Sequence, residues 1–168
     1  LRCSSARGVG FCRAPATDTC ERHAGVSDCG DGRVCAVVSP EAGRCVAWTR
    51  ESTEPNDLVS QATVARRAPF AVRGALLPEG DTDCYAVELA TEGRLVFQFQ
   101  DGLGRCPIGG PALVALATPE RPRITSFQAA CTQVQTINAL RRPPGTYVLC
   151  VSSTNPVVDY VLTFTAEP

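Results

Sequence analysis

The sequence predicts an all-β protein in two parts: a small disulfide-rich knot, then a β-sandwich or jelly roll. Three observations predict it. Six of the ten cysteines fall within the first 45 residues. Short alternating apolar runs, punctuated by Gly and Pro, fill the remainder, and no segment carries a convincing helical period. The two regimes meet near Trp48, which divides the chain into a cysteine-rich module (1–47), a linking arm (48–57) and the sandwich (58–168).

Composition narrows the functional classes. Ten cysteines in an even count, with no Cys-x-x-Cys pair, read as a disulfide framework and not as a zinc ribbon or redox site. Such a framework places the chain in an oxidising compartment, secreted or at a cell surface. All sixteen basic residues are arginine, which excludes lysine Schiff-base chemistry. A formal charge of −1 supplies no basic field for nucleic acid. No apolar run is long enough for membrane insertion. Methionine is absent, so Leu1 is read as following processing or excision from a longer protein.

In the first module Cys3, Cys12, Cys20, Cys29, Cys35 and Cys45 are separated by short polar loops. A segment below about 50 residues with so little apolar periodicity needs cross-links as its main constraint. The run Ser27-Asp28-Cys29-Gly30-Asp31-Gly32-Arg33-Val34-Cys35, with Gly43-Arg44-Cys45 after it, resembles the short hairpin modules repeated in extracellular proteins. Six cysteines permit fifteen connectivities, and the spacing selects none. His23, the sole histidine, reads as a solvated loop residue.

Pro55 biases Glu54 toward extended backbone, so the arm presents its acidic residues from a strand-like segment. Beyond it, strands are predicted near 70–77, 84–90, 94–100, 112–118, 123–129, 133–140, 146–152 and 158–165, and a helical turn is considered within 58–67. Tyr85, Val87 and Leu89 share one face of their strand.

Two acidic clusters stand out. Asp81 and Asp83 lie at i and i+2 on a turn entering a strand, and Glu54, Asn56 and Asp57 lie upstream on the arm. Together they supply the hard oxygen ligands that calcium prefers. The alternative is that Asp57 and Asp81 only cap turns through their side chains. Asp81 and Asp83 are too close together to flank a glycosidic bond as acid and nucleophile. No Gly-x-Ser-x-Gly elbow, His-Glu-x-x-His helix or phosphate loop is present, so the chain reads as not an enzyme. Trp48, Phe127 and Tyr160 read as gap-filling aromatics and not as a stacking platform.

The succession Glu54-Pro55-Asn56-Asp57, Gly74, Gly80-Asp81-Thr82-Asp83-Cys84-Tyr85, Gly145-Thr146-Tyr147 and Asp159-Tyr160-Val161-Leu162 resembles the bacterial pre-peptidase C-terminal domain. It is also similar to the related collagen-binding domain of clostridial collagenases. The resemblance covers about 51–168. It implies an eight-stranded jelly roll without catalytic residues, and calcium held by Glu54, Asn56, Asp57, Asp81 and Asp83. Those collagenases carry a further glutamate where this chain has Ser52, with Glu51 one residue out of phase, which implies a weaker site or none.

In that strand order the second and seventh strands are neighbours, and Cys84 and Cys150 both lie out of phase with the inward residues of those strands. Cys84 with Cys150 is therefore the preferred bridge. Cys106 and Cys131 flank the open end of one hairpin and form the preferred second bridge. The function expected is a non-catalytic extracellular module that binds polysaccharide or fibrous protein. The alternative is a subunit that self-associates head to tail into a surface filament.

Overall fold

The computed structural model describes residues 2–6, 9–13, 19–20, 29, 32–37, 43–51, 54–101, 105–109, 112–128, 135–136 and 141–167. The first module contributes β1 (Arg2–Ala6), β2 (Val9–Arg13), β3 (Thr19–Cys20), β4 (Arg33–Val37) and β5 (Gly43–Arg50). A 3-10 turn, Val59–Gln61, and β6 (Thr63–Arg67) follow the arm. The sandwich continues with β7 (Phe70–Leu76), β8 (Thr82–Leu89), β9 (Arg94–Gln100) and β10 (Leu113–Thr118). It closes with β11 (Arg121–Gln128), β12 (Gln135–Thr136), β13 (Gly145–Ser152) and β14 (Val157–Glu167). Among the described residues no helix is long and apolar enough to cross a membrane.

Two sheets face each other. One runs β11-β10-β13-β8-β6; the other runs β12-β9-β14-β7-β5-β3, with β4 also on β5. Within β7–β14 this is the interleaved order of a jelly roll, with β8 and β13 adjacent and antiparallel. The sheets exceed the predicted eight strands because β5 joins β7, and β6 joins β8, each in parallel. Where a helical turn was considered there is the short 3-10 turn and then strand β6. The first three residues of the expected arm, Trp48–Arg50, likewise pair with Ala71–Arg73 of β7.

Period-2 alternation builds the core. Tyr85, Val87 and Leu89 of β8 meet Phe97, Phe99, Leu162 and Phe164 of the opposite sheet, all buried. Phe70 and Phe164 stack with ring centroids 4.6 Å apart. On the opposite face of β8 and β13, Cys84 and Cys150 are paired in register and bonded, packed with Ala86, Ala117 and Val148 under Val59 and Ala62.

The cysteine-rich module is not a separate bead. Among its described residues it carries the bridges Cys20–Cys35 and Cys29–Cys45. Val34 packs with Val46 and Trp48 onto Ala71 and Val161, on the outer face of the second sheet. The predicted gap-fillers divide accordingly: Trp48 lies half-buried in this seam and Tyr160 is buried in the core. The Phe127 side chain and His23 lie outside the described residues. Residues 3 and 12 are backbone register partners across β1 and β2. Cys106 is disulfide-bonded, while Cys131 lies outside the described residues.

Candidate metal centre at the arm and the β7–β8 turn

Strand β5 stops at Arg50, and the backbone N–H of Glu51 donates to the Arg73 carbonyl at 2.9 Å. Further along the arm, Cys84 N–H donates to the Asn56 carbonyl at 3.1 Å. These two backbone bonds tie the arm to both sheets. The turn between β7 and β8 is closed by Asp81 N–H donating to the Pro78 carbonyl at 3.1 Å, with Gly80 at φ +86°. A side chain would be strained in that left-handed conformation, which is why glycine stands there.

The arrangement brings one oxygen each from Glu51, Glu54 and Asp83 within 4.8 Å of one another. Asp83 is fully buried, because β8 begins at Thr82 and the residue shares its inward parity with Tyr85. Asp83, expected on a turn entering a strand, therefore lies within β8 and in the core. Asp81 serves the turn itself: its carboxylate accepts from Leu77 N–H at 2.7 Å and Thr82 N–H at 2.9 Å. Asp57 is exposed and is not part of the carboxylate group. Glu51, placed out of phase by the sequence, is the residue that completes it. The offset was one of motif position against the resembled collagenases, whose glutamate falls where this chain has Ser52.

Two tyrosines that sequence reasoning missed hold the buried side. Tyr160 donates its hydroxyl proton to Asp83 Oδ2, and Tyr85 donates to Glu51 Oε1 at 2.7 Å. The two hydroxyl oxygens are also within hydrogen-bond distance of each other. Asn56 Nδ2 donates to Glu51 Oε1 as well. Gly74 makes room for this network: a Cβ there would lie 2.6 Å from Glu51 Oε2 and 2.8 Å from the Tyr160 hydroxyl. For Asp83 alone a signal was available in parity, since on one strand a carboxylate two residues before an inward tyrosine faces inward with it.

Burial pushes the Asp83 carboxyl up to about 8, with its neighbours Glu51, Asp81 and Glu54 adding to the rise and the Tyr160 hydrogen bond opposing it. Burial also raises Glu51, against the hydrogen bonds from Tyr85 and Asn56, and raises Glu54, with Asp81 second. Even so, Asp83 Oδ1 and Asn56 Oδ1 are buried with no hydrogen-bond partner among the described residues. A fully buried, unpartnered acceptor is costly. Two of them beside two further carboxylates form a donor set of hard oxygens that fits calcium.

The metal-free chain has a defined pH dependence. Asp83 titrates near 8 when folded, above its ordinary 3.8, so the folded chain keeps a proton that the unfolded chain loses. That stabilisation is complete below the ordinary carboxylate range and is lost as pH rises through 8. Chelator-treated protein is expected to unfold at lower urea concentration at pH 9 than at pH 5. Tyr160→Phe removes the hydrogen bond to Asp83 Oδ2 and is expected to cost about 1–3 kcal/mol of stability in chelator at alkaline pH, measured by the same urea titration.

Fold and site together define a disulfide-stapled jelly-roll sandwich with an acidic, oxygen-lined cluster where its N-terminal arm crosses the β7–β8 turn. No protein-family model matches the chain, and no curated protein matches it. Among solved structures it is similar to the pre-peptidase C-terminal domain of collagenase from Bacillus anthracis. The two share 20% identity at a TM-score of 0.45, over 61% of this chain and 95% of that chain.

Proposed function

We propose that the chain is a non-catalytic binding and adhesion module of a secreted or cell-surface protein, with calcium clamping its arm to the sandwich. The observation that carries the calcium clamp is the pair of unpartnered buried oxygens, Asp83 Oδ1 and Asn56 Oδ1, beside Glu51 and Glu54. When bound, calcium supplies two positive charges to this group of carboxylates. Glu51, at the end of β5, and Asp83, in β8, bring the ligand set from opposite sheets; Glu54 and Asn56 bring it from the arm. Tyr85 and Tyr160 fix the orientation of Glu51 and Asp83 from behind. The disulfides support an oxidising, extracellular setting.

The partners proposed are extracellular polysaccharide or fibrous protein. The test is light scattering of the disulfide-intact chain, in calcium and in chelator, joined to retention on insoluble polysaccharide and on fibrous protein. A monomer retained by one of these matrices supports the reading. Long particles with no retention would contradict it and make head-to-tail assembly the function.

A further inference from the structure

A cleft opens directly onto the carboxylate group. It holds about 490 Å³ and is lined by Arg50, Glu51, Glu54, Gly74, Ala75 and Val158, together with the Arg73 and Asp159 pair. That volume falls in the range of small-ligand sites. We propose that this cleft is a saccharide subsite, in which two adjacent hydroxyls of a neutral sugar complete the oxygen shell of the cation. The proposal rests on the calcium reading above.

The oxygen count supplies the first argument. Glu51, Glu54, Asp83 and Asn56 give four oxygens at one each, whereas calcium takes about six to eight. Asp83 and Asn56 close the buried side, while Glu51 and Glu54 line the cleft. The places left unfilled therefore fall on the cleft side.

Charge selects the ligand class. Glu51, Glu54 and Asp83 bring three formal negative charges, with Asp81 close enough to act on all of them, so a divalent ion and Arg50 together leave no positive surplus. Arg73 adds no surplus, because its guanidinium is engaged by both Asp159 carboxylate oxygens and lies 4.7 Å from the centre of the Trp48 ring. Burying an anionic ligand here would add a negative charge with no counterpart. A hydroxyl suits the site better: its lone pairs face a cation and its proton goes to a carboxylate oxygen such as those of Glu54. Gly74, Ala75 and the exposed side chain of Val158 form an apolar wall for the C–H face of a sugar ring.

The test begins with calcium calorimetry on the full chain, which decides the calcium reading by itself. Methyl α-mannoside and methyl β-galactoside are then titrated at millimolar concentration, with sodium acetate as the anionic probe, while the Gly74, Ala75 and Val158 amides are followed by NMR. The expected result is saturable shifts with at least one glycoside in calcium, none in chelator and none with acetate. Val158→Gln, a neutral change on an exposed position outside the ligand set, is expected to bind calcium as the parent does and the glycoside at least tenfold more weakly. Calcium binding with no glycoside response would overturn the subsite and leave the clamp standing. So would a response that survives chelation, or a response to acetate alone. Absence of calcium binding would overturn both.

Discussion

Asp83→Asn is expected to lower calcium affinity about a hundredfold, equivalent to ~3 kcal/mol, and at the same time to stabilise the chelated fold at pH 9. The two effects have opposite signs and one cause. On the proposed calcium reading the carboxylate would be the ligand that reaches the ion from inside the sandwich. In chelator above pH 8 the same group is a buried charge with one oxygen unpartnered. Asparagine keeps the shape, keeps an acceptor for the Tyr160 hydroxyl and carries no charge. Calorimetry and urea titration of one variant therefore read both effects. A cluster with only a structural role would show the stability change at pH 9 without the loss of calcium affinity.

The strands of the sandwich were legible because alternation and punctuation agree in it. Each of β7 to β11, β13 and β14 begins within two residues of a predicted start. What escaped lies at the edges. Trp48-Thr49-Arg50 reads as a polar arm because Thr49 and Arg50 are exposed on β5, yet its backbone pairs with β7. Strand β6 ends in Arg66 and Arg67, both exposed, and carries little apolar signal.

The site was legible by residue type but only partly by position. Glu54, Asn56 and Asp83 gather at one place, while Asp81 turns to its own backbone and Asp57 to solvent. Glu51 was not found by motif position, because it stands one residue from the place where the resembled collagenases carry their glutamate and this chain carries Ser52. The roles of Tyr85 and Tyr160 depend on a contact between residues 75 apart in sequence, for which a local pattern holds no signal.

The second large effect concerns the covalent frame. Replacing Cys84 and Cys150 together by alanine is expected to destabilise the chain by about 4 kcal/mol, since the bridge closes a loop of 66 residues. For a chain of this length that corresponds to a fall of roughly 10 °C in Tm. The residues stand opposite each other on adjacent strands, so the native pairing of β8 and β13 can persist without the bond. The loss therefore acts mainly through a freer unfolded chain. Calorimetric melting of the double variant in calcium measures it; a fall of only a degree or two would show that the unfolded chain is already restrained by its other bridges.

The most direct test of the central claim is isothermal titration of calcium into the disulfide-intact, chelator-stripped chain at pH 7, repeated in buffers of different ionisation enthalpy. The account predicts one ion per chain and release of close to one proton, because Asp83 is protonated before binding and must give up that proton to coordinate. No binding, or binding without proton release, would contradict the placement of the ion at Asp83.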